Sequence, residues 1–180
     1  MRKIINAVLW ALLYFVGVFA GECLGFIHPF FWLYFGFFAA IFAAWPYVKL
    51  NQKHPVFGMA LLAAGIWLGI YLILGEGHKT FFIGGIVLAV IAEALRLCGG
   101  YGSKKSICLS YCALALIPFA KTIIILTKPD FVLQNTVEEM GQTYADQMFA
   151  MPNSWLFWVM VAATLAVAYI LSSIFCRKKN

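Results

Sequence analysis

Six long apolar segments, separated by shorter polar ones, dominate the pattern of this chain. Each segment is about 17 to 21 residues long, which suits the roughly 20 residues that a helix needs to cross the hydrocarbon core of a bilayer. The segments are 4–20, 29–45, 56–74, 80–97, 107–126 and 155–175. The pattern therefore predicts an all-α fold, a bundle of six transmembrane helices.

Positive charge is distributed unevenly between the polar connections. Ten of the 13 Lys and Arg residues lie in four clusters, which are Arg2 and Lys3; Lys49 and Lys53; Arg96, Lys104 and Lys105; and Arg177, Lys178 and Lys179. These clusters occupy the two chain ends and alternate connections, and Lys and Arg are enriched in cytoplasmic loops of membrane proteins. The alternation predicts that both termini face the cytoplasm.

The longest connection, 127–154, is polar and acidic but contains apolar residues at helix-like intervals. The recurring residues are Phe131, Val137, Met140, Tyr144, Met148 and Met151. This spacing predicts a short amphipathic helix that lies over the outer surface of the bundle. A solvated loop with incidental apolar residues is the alternative.

The composition supports a membrane protein without a soluble domain. Hydrophobic residues make up 64% of the chain and charged residues 11%, whereas about 25% of residues are charged in soluble domains. We expect one integral membrane domain over 1–180, with its net charge of +6 facing anionic lipid rather than nucleic acid.

The first segment also resembles a signal peptide with a cleavage site after Ala20, and cleavage would leave five spans.

Signatures of enzymes and of metal sites are missing from the sequence. Four of the five cysteines fall near the predicted cytoplasmic side, which is reducing, so no disulfide framework is expected. Cys108 and Cys112 would share a helix face, but two thiols without a nearby His or carboxylate make an incomplete metal site. The sequence also has no nucleotide-binding loop that ends in Gly-Lys-Ser/Thr. We expect no catalytic activity, metal or cofactor, and any ATP hydrolysis to occur in partner subunits.

Lys121 lies inside an apolar segment, apart from the four basic clusters. A cation there is costly unless it pairs, faces a hydrated cavity or extends to the membrane surface. Pro118 removes a backbone donor three residues earlier and should kink the helix. Two explanations are consistent with the sequence: Lys121 faces a hydrated cavity, or its side chain extends to the membrane surface. A cavity would favour a ligand with an anionic group.

Polar and aromatic side chains gather on the predicted outer side, where they either anchor the helices at the interface or line a small-molecule site. With Lys121, the candidate substrate-binding residues are Glu22, His28, Trp32, Tyr71, Glu76, Tyr144, Asp146 and Trp155. On the inner side, Glu93 and Arg96 lie three residues apart on one helix face. They either neutralise each other or dock a cytoplasmic partner.

Two stretches of the chain resemble a known family. Residues 99–111, Gly-Gly-Tyr-Gly-Ser-Lys-Lys-Ser-Ile-Cys-Leu-Ser-Tyr, precede an apolar segment that contains Pro118. Residues 144–146, Tyr-Ala-Asp, are followed by Met151 and Trp155 at the start of the last segment. Both stretches are similar to the corresponding junctions of the Trep-Strep (MptD-type) membrane proteins.

The resemblance implies a function. These proteins are regarded as S components of energy-coupling factor (ECF) transporters, which bind a micronutrient from outside and associate with a transmembrane coupling protein and two ATPases. The first helix of an S component carries an Ala-x-x-x-Ala strip that contacts the coupling protein. Ala7 and Ala11 fit that strip, which favours an uncleaved first segment. The resemblance predicts the substrate-binding subunit of an ATP-driven importer in the bacterial plasma membrane; a self-sufficient carrier or channel, or a non-transporting scaffold, is the alternative.

Overall fold

A computed structural model describes residues 2–127, 129–151 and 154–177, and this part of the chain is helical without strands. Lys128, Lys178, Lys179 and the side chain of Phe131 lie outside the described residues, so the predictions that include them are not addressed there. The elements are α1 (Arg2–Cys23), a 3₁₀ turn (Leu24–Phe26), α2 (Pro29–Leu33), α3 (Phe35–Phe42), α4 (Ala44–Lys53), α5 (Met59–Ile73), α6 (Lys79–Gly99), α7 (Lys104–Leu114), α8 (Ile117–Thr127), α9 (Pro129–Met140), α10 (Gln142–Ala150) and α11 (Ser154–Arg177).

All six predicted segments are helical, but they do not form six equal spans. Within the described residues, four helical stretches are long and apolar enough to cross a membrane: Arg2–Phe26, Lys79–Gly99, Lys104–Ile125 and Trp155–Arg177. The third segment forms the shorter apolar helix α5, and the second is divided among α2, α3 and α4. The structure therefore establishes a helical protein with four candidate spans, whereas the predicted six spans and their orientation are not established.

Proline accounts for two of the interruptions. Pro46 has no N–H to donate to the carbonyl of Phe42, and the chain bends at Ala43 between α3 and α4. Pro118 likewise has no donor for the carbonyl of Leu114, and α7 ends there before α8 begins. The break near Pro118 occurs where the sequence predicts a kink.

Small residues allow α1 to pack closely against α3. A Cβ atom added to Gly17 would lie 2.8 Å from the Cα of Ala43, and one added to Gly21 would lie 2.5 Å from the backbone nitrogen of Ala39. Real Cβ atoms cannot approach a backbone this closely without displacing it, so both positions require glycine. This is the helix contact that small residues four apart make possible in membrane proteins.

The predicted docking strip on α1 is occupied within the chain. Ala7 is 6% exposed and Ala11 is fully buried, because α1 packs against α3, α4 and α5. Contact between these alanines and a coupling protein would require α1 to separate from its neighbours. Their role in docking stays a prediction, and in this conformation they are packing residues.

The basic clusters meet at one end of the bundle. The Nζ of Lys53 lies 4.5 Å from the ring centroid of Trp10, and the adjacent Gln52 donates to the carbonyl of Cys176 at 3.4 Å. Arg96 donates to the backbone of the α4–α5 connection at 3.3 Å. These contacts connect α1, α4, α6 and α11 near the ends that carry Lys and Arg.

The long connection folds into two helices, α9 and α10, rather than the single predicted one. Gly141 separates them with a φ of +86°, a conformation that favours glycine. The buried side of α10 places Met148 in a cluster with Leu33, Phe119 and Phe157. The connection is therefore packed onto the bundle, in agreement with an amphipathic segment rather than a solvated loop.

Candidate functional site

A cavity of about 360 Å³ opens at the end of the bundle away from the basic clusters. Its walls are formed by the last turns of α1 and α5, by α2, by the α5–α6 turn, and by one face each of α8 and α9. The volume lies within the range of small-molecule sites, which are typically about 300 to 1,000 Å³. The cavity is partly open to the outside and has the volume of a solute site.

An ion pair between α1 and α8 forms part of the cavity wall. The Nζ of Lys121 donates to the Oε1 of Glu22 at 2.7 Å, and the two side chains are only 13% and 15% exposed. Breaking such a pair by removing one partner is strongly destabilising, because the remaining charge is buried without compensation. The pair therefore neutralises Lys121 and ties α8 to α1.

Aromatic rings surround the ammonium group of Lys121. Its Nζ lies 5.3 Å from the ring centroid of Trp32, 5.5 Å from that of Tyr71 and 6.0 Å from that of Phe35. A cation near the face of an aromatic ring is attracted by the ring quadrupole, and more so when it is partly desolvated. The site therefore combines a carboxylate with aromatic surfaces, a combination that stabilises an ammonium group.

Tyr71 contributes to the cavity wall, and its hydroxyl is buried. The residue lines the cavity and is 3% exposed, and its ring packs against Trp67 and Phe81. Its buried hydroxyl has no hydrogen-bond partner among the described residues. Buried hydroxyl groups are usually hydrogen-bonded, and an exception often marks a place where a ligand or water binds.

Two acidic side chains stand at the rim of the cavity. Glu76 is exposed in the α5–α6 turn, between Gly75 and Gly77, whose φ angles are +75° and +91°. A Cβ on Gly77 would also lie 2.9 Å from the ring of Phe81, so both space and backbone conformation require glycine there. The turn thus fixes the position of Glu76 in the lining, and Glu139 on α9, which is also exposed, belongs to the same lining.

One face of α9 completes the lining. It contributes Val132, Asn135, Thr136, Glu139 and Met140, which follow the i, i+3, i+4, i+7, i+8 spacing of a single helix face. None of these residues was predicted as a site residue from the sequence. The helical spacing itself is the signal that could have grouped them, once α9 was known to face the bundle.

The sequence of this chain was compared with known protein families and proteins. The family described as "Hypothetical bacterial integral membrane protein (Trep_Strep)" matches residues 1–178. The chain belongs to this family. No curated protein and no solved structure matches it. Membership identifies a bacterial integral membrane protein, and the family description names no activity.

In this Trep_Strep member, five of the nine predicted substrate-binding residues line the same cavity. The five are Lys121, Glu22, Trp32, Tyr71 and Glu76. They come from segments far apart in the sequence, and the fold brings them together at the end opposite the basic clusters. Their role in binding a solute remains a prediction, but their proximity is a property of the structure.

The other four predicted residues lie outside the described cavity lining. His28 caps α2 by accepting a hydrogen bond from the backbone N–H of Phe30 at 3.1 Å. Asp146 is exposed and accepts a hydrogen bond from Gln142 at 2.8 Å. Trp155 is 61% exposed at the start of α11, as expected of an aromatic residue at a membrane interface.

Tyr144, the fourth of these residues, holds α10 in place. Its hydroxyl donates to the carbonyl of Gly25 at 2.6 Å, which joins α10 to the 3₁₀ turn that follows α1. Burial raises the pKa of Tyr144 to about 12. The hydroxyl therefore remains protonated, and able to donate this bond, across the physiological pH range.

Glu93 and Arg96 form a buried structural pair at the basic end. The guanidinium donates to the Glu93 carboxylate at 3.2 Å, and the two side chains are 4% and 0% exposed. The carboxylate also accepts the backbone N–H groups of Gly58 and Ala60, both at 2.9 Å, at the start of α5. This geometry agrees with mutual neutralisation, and the carboxylate also caps the start of α5. Both residues are buried in this conformation, and their role in docking a partner stays a prediction.

Proposed function

We propose that this chain is the substrate-binding subunit, or S component, of an ECF-type importer that captures a small solute on the outer side of the bacterial plasma membrane. The observation that carries the proposal is the cavity of about 360 Å³ with polar and aromatic walls, at one end of a membrane protein.

The charge distribution supports the orientation of this cavity. The basic clusters at the ends of α1, α4 and α6 and at the start of α7 lie away from the cavity. Because Lys and Arg are enriched on the cytoplasmic side, the cavity faces outward in our proposal. A solute would then enter from outside and meet Glu76 and Glu139 at the rim before it reaches Trp32 and Tyr71.

The second part of the proposal concerns the source of energy for uptake. The sequence contains no nucleotide-binding loop of the Gly-Lys-Ser/Thr type, so ATP-driven uptake would require partner subunits. We propose that a transmembrane coupling protein and two ATPases supply it, as the resemblance to S components implies. The basic end of the bundle would face those ATPases.

Co-purification tests this proposal directly. A tagged chain, expressed with its native operon or with the coupling module of its host, should bring down a membrane coupling protein and two ATPases. A tagged membrane protein of similar size and unrelated family serves as the control. Recovery of no ATPase, in a preparation that retains a folded chain, would contradict the proposal.

Uptake by reconstituted protein separates the alternatives. The chain alone in liposomes should bind solute without accumulating it, and the complex should accumulate it only with ATP. Glu76→Gln with Glu139→Gln in the complex should reduce uptake while the ATPases still co-purify, because both residues line the cavity and lie away from the basic end. Uptake by the chain alone, without ATP, would replace our proposal with a self-sufficient carrier.

A further inference from the structure

The charges around the cavity narrow the class of solute. Three carboxylates, Glu22, Glu76 and Glu139, and one ammonium group, Lys121, belong to the lining. The three carboxylates and the one ammonium group together give a net charge of −2. An anionic solute would therefore enter a negative field, whereas a cationic solute would be attracted to it.

Lys121 does not offset this preference, because it is already neutralised. Its ammonium group is held by Glu22 at 2.7 Å, and an incoming carboxylate or phosphate would have to compete with that contact. Glu76 and Glu139 form no ion pair within the described part of the chain. The unpaired charge of the lining is thus negative, contrary to the anionic ligand that Lys121 suggests in the sequence.

The groups around Lys121 show that this end of the bundle stabilises an ammonium group. The chain's own ammonium group is held there by a carboxylate and by ring faces of Trp32 and Tyr71 within 5.5 Å. A protonated amine in the adjoining space would meet the same types of group, with Glu76 and Glu139 as its carboxylates. The ring of Tyr71, which belongs to the lining, can pack against such an amine.

The other lining residues indicate the character of the uncharged part of the solute. Phe19 and Phe26 contribute apolar surface to the lining, and Asn135 and Thr136 contribute short polar side chains. Within the described residues, no three His, Cys, Asp or Glu side chains are grouped closely enough to hold a metal ion. An organic cation with an apolar part fits these walls better than a bare divalent cation.

We propose that this cavity binds a small organic ammonium compound with an apolar or ring-shaped body, in preference to carboxylates and phosphates. The proposal rests on the cavity being the solute site of the proposed importer subunit. It assigns Glu76 and Glu139 as the groups that attract and hold the ammonium, and Trp32 and Tyr71 as the surfaces against which the solute packs.

Matched probes of opposite charge test the proposal. Phenethylamine is paired with phenylpropionate, and hexylamine with hexanoate, and binding to the purified full chain is measured by calorimetry in a nonionic detergent, with empty micelles subtracted. At low ionic strength, we expect at least one amine to bind about tenfold more tightly than its acid. This preference should weaken as salt is added, because the rim carboxylates are exposed.

Variants locate the binding in the cavity. The double variant Glu76→Gln with Glu139→Gln should weaken amine binding by about five- to tenfold, whereas Glu138→Gln should leave it unchanged. Glu138 is an exposed neighbour on the same helix, outside the described cavity lining, and it therefore serves as the matched control.

Three results would overturn the proposal: binding of the acids as tightly as the amines, binding of none of the probes, or amine binding that the double variant leaves intact. Co-purification of the ATPases, measured in parallel, distinguishes this failure from failure of the proposed function. ATPases without amine binding would refute only the solute class, and amine binding without ATPases would refute only the importer subunit.

Discussion

The ion pair between Lys121 and Glu22 provides the sharpest test of the structure. The two side chains are 13% and 15% exposed and their charged atoms lie 2.7 Å apart. Removing one partner from a buried pair leaves the other charge uncompensated, which costs about 3 kcal/mol. We therefore expect Lys121→Met and Glu22→Gln each to lower the free energy of unfolding by about that amount.

The double variant distinguishes pairing from two independent effects. When both charges are removed, neither remains buried alone, and the coupling energy of residues in contact reaches about 3 kcal/mol. Glu22→Gln with Lys121→Met should thus be destabilised no more than either single variant. Two independent substitutions would instead add to about 6 kcal/mol.

Thermal unfolding of the purified protein measures these differences. For a chain of this length, 1 kcal/mol corresponds to roughly 2 to 4 °C in Tm, so each single variant should lose about 6 to 12 °C. Lys79→Met and Glu138→Gln change the same residue types at exposed positions and should stay close to the wild-type Tm. Additive losses in the double variant, or single variants that match these controls, would refute the pairing.

Three further predictions concern packing and buried polar contacts in the bundle. Gly21→Ala should destabilise the protein by about 1 to 3 kcal/mol, because the added Cβ would meet the backbone of α3. Gly65→Ala is the control in the same unfolding assay: its Cβ would lie in open space, so it should be neutral or slightly stabilising. Glu93→Ala should cost about 3 kcal/mol, since it leaves a buried guanidinium uncompensated, and an unchanged Tm would contradict the buried pair. Tyr144→Phe should cost about 1 kcal/mol by losing its hydrogen bond, and the exposed Tyr169→Phe is its control. Because the folded pKa of Tyr144 is raised from 10.0 to about 12, its contribution should be present below pH 10 and decline as the pH rises through that window.

The helices could be predicted from the sequence because long apolar segments leave few alternatives in a membrane. Their interruptions were only partly predictable. The sequence predicts the kink at Pro118, which lies inside a long apolar segment, whereas the effect of Pro46 depends on whether the helix begins before or after it. Proline is tolerated in the first turn of a helix and disruptive farther inside. Here it ends one helix at Phe42 and lies in the first turn of the next.

The partner of Lys121 could not be predicted because Glu22 lies 99 residues away in the chain. Sequence spacing identifies neighbours within one helix, but it does not identify which helices meet or with what rotation. The same reasoning applies to Ala7 and Ala11. A strip of small residues indicates that another helix can approach closely, but not whether that helix belongs to the same chain.

The position of the ion pair has a consequence for how the cavity could respond to a solute. Glu22 lies in the last turn of α1, and Lys121 belongs to α8, which begins after the break before Pro118. Without the backbone bond that Pro118 lacks, α8 is less firmly continuous with α7 than a regular helix would be. The pair with Glu22 and the packing against α3, α6 and α9 therefore determine the position of α8. An ammonium solute that competed with Lys121 for Glu22 would loosen this wall, whereas one held by Glu76 and Glu139 would leave it in place.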